Sequence, residues 1–200
     1  MASAGTSRAE KTARRLFEIT DAAAKVFARR GYHGASTQDI ADVLGIRQAS
    51  LYYYFESKEA ALEAVCRYGH EGYVERLDSI ARSEASASEK VEQVLSHHAA
   101  PGRLDFTLVF LRERRFLPGP ARKRIRALEQ AYERAIERIV QQGIGSGEFR
   151  RDLDARVATL ALLGLGNSAA LWIASEPHAA AEETTHAYAE MLVRAFRAGH

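Results

Sequence analysis

The sequence predicts an all-α protein of about nine helices, and three observations support this. Apolar residues recur at helical spacing along most of the 200 residues, and strand-like alternation flanked by turn residues is nearly absent. Only four prolines interrupt the chain, which leaves room for long helices. A hydrophobic content of 46% with 27% charged residues is typical of a globular protein. We therefore expect a folded helical core.

The distribution of charge and the number of cysteines limit the partners, the metal sites and the compartment that we expect for this chain. Residues 1 to 58 hold nine Lys/Arg against six Asp/Glu, although the whole chain has a net charge of only +2. This basic excess permits a polyanionic partner without requiring one. The single cysteine, Cys66, excludes an internal disulfide and a multi-cysteine zinc site. No apolar run follows the basic N-terminus as it would in a secretory signal, so we expect a cytoplasmic protein.

The front of the chain carries the start and stop signals of several helices. The first helix runs from about residue 8 and ends at Gly31. Ser36 can cap the second helix, which ends at Gly45, a residue suited to a left-handed C-cap. A third short helix starts near Arg47, so helix, glycine turn and helix follow one another in the outline of a helix-turn-helix.

Proline, glycine and serine separate the remaining helices. Ser57 caps the fourth helix, which runs to about residue 84. Further helices are expected at about 88 to 100, 103 to 116, 119 to 143, 154 to 175 and 179 to 197. The chain is thus divided into a flexible arm (1 to 11), a helix-turn-helix domain (12 to 57, with the motif at about 36 to 55) and a larger helical domain (58 to 200).

The segment LYYYF, residues 51 to 55, places four rings in succession. If residues 47 to 55 are helical, each residue turns the chain by about 100°, so Leu51 and Phe55 share one side, which we take as the core side. The opposite face is centred on Ala49 and Tyr53. At least one or two of the three tyrosines must point outward, where phenol hydroxyls can donate to phosphate oxygens. The ordinary alternative is that these rings belong to the core.

Residues around this segment predict an interface for duplex DNA. A recognition helix usually meets the bases with its N-terminal residues, here Arg47 and Gln48, and glutamine can make a paired contact with adenine. Thr37 and Gln38, the first residues of the second helix, would offer donors to phosphate. Lys58 adds a positive charge at the start of the fourth helix.

The stretch GASTQDIADVLGIRQASLYYYFESKEAALEA resembles the signature of the tetracycline-repressor (TetR) family, and the likeness covers about residues 12 to 70. Its specific motifs are Gly31, Thr37, Ile40-Ala41, Gly45, LYYYF and Ser57-Lys58-Glu59. The resemblance implies a dimeric, ligand-controlled DNA-binding repressor with an all-helical C-terminal domain. It also implies that the positions facing DNA are Thr37, Gln38, Gln48, Ala49, Ser50, Tyr52, Tyr53, Tyr54 and Lys58. Many family members carry histidine where this chain has Tyr54.

Residues 157 to 174 form an uncharged stretch of eighteen residues, at the lower limit for a membrane-spanning helix. Two glycines and the polar Thr159, Asn167 and Ser168 argue against insertion. A helix that is apolar on all sides can instead be buried between its own domain and a second subunit. The resemblance implies that the last two helices form a four-helix bundle with those of a partner, so we expect a homodimer and no membrane association. Candidate contacts are Gly164, Gly166, Ala169, Ala170, Leu171, Tyr188, Leu192 and Phe196.

Apolar and aromatic residues on the later helices make a ligand pocket plausible. The candidates are Phe106, Val109, Phe110, Leu128, Tyr132, Leu162, Asn167 and Trp172, although core packing is the commoner role for each. Seven basic residues lie between Arg112 and Arg126. They form either a solvated face or a binding site for the phosphates of a CoA thioester. Some TetR-family regulators of lipid metabolism respond to acyl-CoA, so the resemblance favours an apolar effector of this kind.

Catalytic and cofactor motifs are weak in this sequence. GLGNSA matches a dinucleotide fingerprint but lacks the preceding strand. The adjacent His97 and His98 point in different directions on a helix, and neither HExxH nor GxSxG occurs. We expect no enzyme activity, cofactor or metal. The sequence favours a repressor whose fourth helix connects the effector pocket to the DNA-binding helices. The alternatives are a helical protein-interaction module that does not bind DNA and a helical enzyme.

Overall fold

The computed structural model describes residues 8 to 98, 104 to 174 and 178 to 197, without the side chains of 98 and 178 to 182. This part of the chain contains nine α-helices and one 3₁₀ turn, Arg114–Phe116. The helices are α1 (Arg8–Gly34), α2 (Thr37–Leu44), α3 (Gln48–Leu51), α4 (Lys58–Arg82), α5 (Ala87–His98), α6 (Leu104–Glu113), α7 (Gly119–Ser146), α8 (Ala155–Ile173) and α9 (His178–Phe196). Extended pairing in the described part is limited to an isolated bridge between Phe149 and Arg197. The all-α prediction is confirmed.

Capping residues begin and end the helices of the helix-turn-helix as predicted. Ser36 accepts a hydrogen bond from the Asp39 N–H, and Asp39 accepts one from the Ser36 N–H, which completes a capping box at α2. Gly45 ends α2 in the left-handed region at φ 64°. At α4, Ser57 accepts a hydrogen bond from the Ala60 N–H. These bonds satisfy groups that the helix ends would otherwise leave unpaired.

α1 begins at Arg8, as predicted, but its end and the extent of the N-terminal arm differ from the prediction. The helix bends at Gly31, where φ is 66°, and continues to Gly34. Glycine accepts this φ without the steric cost that a Cβ would bring. Residues 8 to 11 are helical and do not belong to an arm, while residues 1 to 7 lie outside the described part. The helix ends predicted at residues 100, 103 and 175 also fall on residues that the structure does not describe.

α7 continues past the predicted stop at Gly143 and ends at Gly147, where φ is 79°. A Cβ at Gly143 would lie 2.3 Å from Cδ2 of Phe149 and 2.8 Å from Cβ of Ala87. Gly143 is therefore required for packing, and the left-handed conformation that ends the helix comes four residues later.

α3 is shorter than the predicted helix, because the turn Tyr52 to Tyr54 follows directly after Leu51. The Leu51 carbonyl accepts hydrogen bonds from the N–H groups of both Tyr54, at 2.9 Å, and Phe55, at 3.0 Å. The side chains of Leu51 and Phe55 are only 1% and 3% exposed. They occupy the core side, as the sequence predicted.

Two hydrophobic clusters form the core, and α4 contributes to both. The first cluster joins α1, α2, α3 and the N-terminal half of α4 with residues of α6 and α7 such as Phe106 and Ile125. The second cluster joins the C-terminal half of α4 with α5, α7, α8 and α9. The predicted division at residue 57 therefore does not separate two cores, because residues of the larger domain complete the first one.

α8 is, within the described part, the one helix whose length and hydropathy would allow it to cross a membrane. It packs against α7 and α9. Apart from Arg156, its exposed residues follow helical spacing along one stripe, the α8 stripe: Val157, Leu160, Ala161, Gly164, Ser168, Leu171 and Trp172. Two of the predicted dimer contacts, Gly164 and Leu171, lie on this stripe, and Tyr188 is half-buried. The others are buried within their own chain: Gly166, Ala169, Ala170, Leu192 and Phe196.

Candidate nucleic-acid interface and effector cavity

Polar contacts connect α2 to α3 on the exposed side of the helix-turn-helix. The Gln48 amide donates to the Thr37 hydroxyl oxygen at 2.7 Å, and the Tyr52 hydroxyl lies 3.4 Å from the same oxygen. Gln38 donates instead to Asp42 at 2.6 Å. These contacts order Thr37, Gln48 and Tyr52 as one set, so less side-chain entropy is lost when a partner binds.

The three tyrosines after α3 differ in exposure. Tyr53 is 86% exposed and Tyr52 is 48% exposed. Tyr54 is half-buried against the first cluster, and its ring is nearly perpendicular to that of Tyr53, with centroids 5.1 Å apart. Tyr54 also interacts with Arg15 on α1. The pKa of Arg15 is raised mainly by a hydrogen bond to Glu18 and, to a smaller extent, by one to Tyr54. Of the predicted DNA contacts, six are exposed and four are half-buried. The exposed ones are Gln38, Arg47, Ala49, Ser50, Tyr52 and Tyr53, and the half-buried ones are Thr37, Gln48, Tyr54 and Lys58.

Lys58 connects the start of α4 to the end of α1. Its ammonium group donates to the carbonyl oxygens of Tyr32, at 2.9 Å, and Ala35, at 3.0 Å. It also lies 4.4 Å from the centroid of the Tyr32 ring. Two of its three N–H donors are therefore used inside the protein, which leaves one for a phosphate. The sequence predicted a DNA-facing role for Lys58 but gave no sign of this internal one.

A cavity of about 150 Å³, the apolar cavity, lies between α4, α6, α7 and α8. It is lined by Gly69, His70, Tyr73, Phe106, Thr107, Phe110, Leu111, Arg114, Arg126, Glu129, Tyr132, Glu133, Leu163 and Asn167. The His70 ring lies 4.5 Å from that of Phe110 and 5.7 Å from that of Tyr132. Tyr73 and Thr107 share a hydrogen bond at 2.8 Å. Burial raises the pKa of Tyr132, so its hydroxyl stays neutral. Part of the wall therefore combines rings with neutral polar groups, while Arg114, Arg126, Glu129 and Glu133 bring charged groups to the rest of it.

A second cavity of about 370 Å³, the basic cavity, adjoins the first. It is lined by Leu111, Arg114, Arg115, Leu117, Arg122, Ile125, Arg126 and Glu129, and the two cavities share Leu111, Arg114, Arg126 and Glu129. Nε of Arg114 lies 2.9 Å from one oxygen of Glu129, and a guanidinium nitrogen of Arg126 lies 3.5 Å from the other. An ion-paired carboxylate thus stands where the two cavities meet.

Other members of the basic run stabilise local structure. Arg122 donates to the carbonyl oxygens of Arg115 and Leu117, each at 3.0 Å, and so closes the 3₁₀ turn. Arg124 donates two hydrogen bonds to Glu63 on α4, at 2.6 and 2.8 Å. This contact lowers the pKa of Glu63. The run is therefore not a uniform solvated face, because some of its arginines line a cavity and others hold neighbouring elements together.

Comparison with protein families identifies both parts of the chain. Residues 19–65 match "Bacterial regulatory proteins, tetR family", and residues 84–196, more than half of the chain, match "Tetracyclin repressor-like, C-terminal domain". The chain belongs to the TetR family. This regulator is 27% identical over 182 residues to the fatty acid metabolism regulator protein of Bacillus subtilis, covering 90% of this chain and 94% of that protein. It is 30% identical over 157 residues to the transcriptional repressor KstR2 of Rhodococcus jostii, covering 74% of each.

Solved structures of two similar proteins contain acyl-CoA molecules. The transcriptional regulator FadR of Bacillus subtilis, in complex with stearoyl-CoA, is 26% identical with a TM-score of 0.75, covering 88% of this chain and 97% of that one. AibR, in complex with isovaleryl coenzyme A and operator DNA, is 26% identical with a TM-score of 0.74, covering 92% of this chain and 98% of that one. The similarity extends over both the helix-turn-helix and the helices around the cavities.

Half of the ligand-binding residues predicted for this regulator line the apolar cavity. They are Phe106, Phe110, Tyr132 and Asn167. The other four lie elsewhere: Val109 and Leu128 in the first cluster, Leu162 in the second, and Trp172 on the α8 stripe. Sequence reasoning missed the side contributed by α4, which is Gly69, His70 and Tyr73. Their spacing places them on one helix face, but glycine and histidine gave no apolar signal.

α6, which lines the cavities of this regulator, ends directly against the bend in α1. A carboxylate oxygen of Glu113 accepts a hydrogen bond from the Tyr32 N–H at 2.9 Å. The Phe116 ring stacks on that of Tyr32 at 5.4 Å and meets that of His33 at 4.4 Å. α6 and the 3₁₀ turn therefore connect the cavities to the DNA-binding helices, in addition to the connection through α4 that the sequence predicted.

The buried thiol has no feature of a nucleophile. Burial raises the pKa of Cys66 to about 12, so the thiol stays protonated near neutral pH. Among the described residues, no group of three or more His, Cys, Asp or Glu side chains could hold a metal ion. Neither the buried thiol nor the acidic and histidine side chains of the described residues form a recognisable catalytic centre.

Proposed function

We propose that this regulator is a homodimeric cytoplasmic repressor, without enzyme activity, that binds a palindromic operator and is released by an acyl-CoA. The observation that carries the proposal is the pair of adjoining cavities, one whose wall contains several aromatic rings and one lined by four arginines. An acyl-CoA has the same two parts, because an apolar chain is joined to a phosphate-bearing nucleotide. The two relatives solved with acyl-CoA support this chemical class.

In the operator complex, α3 and the turn after it lie in the major groove. Arg47 and Gln48 reach base edges, and Tyr53, the most exposed ring of the three, packs against the DNA backbone. The proposed contacts are Thr37, Gln38, Arg47, Gln48, Ala49, Ser50, Tyr52, Tyr53, Tyr54 and Lys58. Lys58 contacts a phosphate with the N–H donor that its two internal hydrogen bonds do not use. Tyr54 contacts a phosphate with its hydroxyl group. Two recognition helices reach successive major grooves when they lie roughly 34 to 36 Å apart.

The α8 stripe is the surface that we assign to dimerisation. Val157 is 61% exposed, Leu160 is 49% exposed and Trp172 is 37% exposed. Gly164 lies among them with open space where a Cβ would stand, which lets a second helix approach closely. Apolar surface of this kind favours burial against another protein surface. The partner is a second copy, whose α8 and α9 complete a four-helix bundle.

The effector places its acyl group in the apolar cavity and its phosphates in the basic one. Arginine binds phosphate well because its planar guanidinium offers paired donors, and four arginines line the basic cavity. A cavity of 150 Å³ accommodates a group of about the size of benzene. A longer acyl chain must therefore move the surrounding helices apart.

This movement provides the mechanism of release. Displacement of α6 acts on the bend of α1 through Glu113 and Phe116, and displacement of α4 acts on the same region through Lys58. The effector thereby favours a conformation in which the two recognition helices no longer match the half-sites. Changing operator occupancy from 99% to 1% requires a difference of about 5.5 kcal/mol in effector affinity between the two conformations.

A gel-shift titration with DNA from upstream of the coding sequence tests the DNA-binding surface. The wild-type protein should shift this DNA, and an acyl-CoA should reverse the shift. Gln48→Ala with Tyr53→Ala should weaken binding by at least about 10-fold, because a base contact and a backbone contact are lost. Circular dichroism and dimer mass should not change.

The matched control is Gln130→Ala, since Gln130 is an exposed glutamine on α7, and it should bind DNA as the wild type does. Unchanged affinity in the double variant would contradict the assignment of the recognition surface. No shift with the wild-type protein would favour the alternative of a helical interaction module.

A further inference from the structure

We infer that, in the effector-free protein, Glu129 occupies the position that an anionic group of the effector takes on binding. The inference rests on the proposed function and concerns the regulation of the same site. It makes Glu129 an internal competitor of the effector. Removing the charge of Glu129 should therefore strengthen effector binding.

The position of Glu129 supports this inference. Its side chain is 14% exposed and lies between Arg114 and Arg126. It lines both cavities, and the described lining of the basic cavity has no other acidic residue. A ligand that spans both cavities must pass this carboxylate. A phosphate or carboxylate of the ligand offers the same two guanidinium groups the same kind of partner.

Arg114 is held so that it keeps its position when Glu129 leaves. A terminal guanidinium nitrogen of Arg114 donates to the carbonyl oxygens of Phe110, at 3.0 Å, and Leu111, at 2.9 Å. The guanidinium also lies 4.9 Å from the centroid of the Phe110 ring. α6 thus already holds Arg114 in place, so at this arginine only the anion needs to be exchanged.

The exchange predicts selectivity for charged ligands. An anionic ligand that displaces Glu129 leaves the two arginines neutralised before and after binding. A neutral ligand that displaced Glu129 would leave Arg114 and Arg126, whose side chains are 40% and 68% exposed, without the ion pairs that they make with it. The site should therefore prefer acyl-CoA to a neutral acyl-pantetheine of the same chain length, and this preference should weaken as salt concentration rises.

Glu129→Gln tests the inference through effector affinity. The dissociation constants of isovaleryl-CoA and stearoyl-CoA are measured by isothermal titration calorimetry for the wild type and the variant. The variant should bind at least one acyl-CoA about 10-fold more tightly. The affinity for the matching acyl-pantetheine, which lacks phosphates, should change by less than about twofold. The substitution removes the carboxylate that competes for the two arginines, and only a ligand with phosphates can use the arginines in its place.

Glu137→Gln is the matched control. Glu137 lies on the same helix, two turns after Glu129, but it lines neither cavity and accepts a hydrogen bond from Gln141 at 3.5 Å. The affinity of this variant for acyl-CoA should equal that of the wild type. Should Glu129→Gln fail to fold, Glu129→Leu removes the same charge with a side chain of similar size, and it should also bind acyl-CoA more tightly than the wild type does.

The outcomes separate the inference from the proposed function. Equal affinities of the wild type, Glu129→Gln and Glu137→Gln for acyl-CoA would overturn the inference and leave the effector class intact. An equal gain for acyl-CoA and acyl-pantetheine would also overturn it, since the change would then concern space and not charge. If no acyl-CoA binds any of the proteins, the proposed effector is wrong and the inference falls with it.

Discussion

At the scale of single residues, Gly143 and Gly145 show that one residue type has different roles two positions apart. Both belong to the run GIGSG on α7. Gly143 has the ring of Phe149 and the side chain of Ala87 where its own Cβ would stand, whereas nothing lies within 4 Å of that position at Gly145. The first glycine lets Phe149 close over the helix, and the second only lowers helix propensity.

Paired substitutions check this difference. Gly143→Ala should lower the free energy of unfolding by about 1–3 kcal/mol, because the added methyl group must displace a packed ring. Gly145→Ala should raise it by up to about 1 kcal/mol, because alanine favours the helix at an open site. Urea denaturation of both variants measures the changes. A gain in stability for both would show that the Phe149 contact does not constrain residue 143.

At the scale of elements, helix ends could be predicted where a nearby side chain determines them. Ser36, Gly45 and Ser57 act as caps in the structure as the sequence indicated. The length of α3 could not be predicted, because it depends on Phe55 reaching a core that residues far along the chain complete. The α4 side of the apolar cavity was missed for a similar reason. Which face of a helix lines a cavity depends on the helices opposite it.

The contact between α6 and α1 has a testable role in signalling. Glu113→Ala removes the acceptor of the Tyr32 N–H and loosens the connection between the cavities and the bend of α1. The effector should bind with nearly unchanged affinity, but its effect on operator affinity should fall by about 0.5–2 kcal/mol. Operator titrations at zero and saturating acyl-CoA measure this coupling.

Arg112→Ala serves as the control for that experiment, since Arg112 is an exposed neighbour of Glu113, and it should keep the wild-type coupling. If Glu113→Ala responds to the effector fully, the signal does not depend on this contact, and α4 becomes the sole proposed route.

At the scale of the whole molecule, the arrangement of surfaces follows from the arrangement of helices. The exposed Tyr52 and Tyr53 follow α3, which packs in the first cluster, whereas the α8 stripe lies on a helix that packs in the second cluster. α6 and α7 extend from the cavities to the first cluster. An effector bound between α6 and α7 can therefore affect the helix-turn-helix domains, the heads of the proposed dimer, without touching DNA or the proposed dimer surface.

The dimer surface can be tested with one charge. Leu160→Asp places a carboxylate on the α8 stripe, and burying it without a partner is unfavourable. The variant should sediment as a folded monomer and should lose specific operator binding, because two linked heads are required for a palindrome. Gln141→Asp, on an exposed position of α7, should remain dimeric. A dimer of undiminished stability with Leu160→Asp would contradict the assignment.

The double role of α4 limits how freely such proteins can be recombined. Its first half belongs to the first cluster, which supports the helix-turn-helix, and its second half belongs to the second cluster, which joins α5, α7, α8 and α9. A chimera joined at the end of the helix-turn-helix domain would combine the recognition helix of one protein with the α4, α6 and α7 of another, and the first cluster would then be built from two different sequences. New operator preferences are therefore acquired more readily by changing exposed positions on α3 than by exchanging the head as a block.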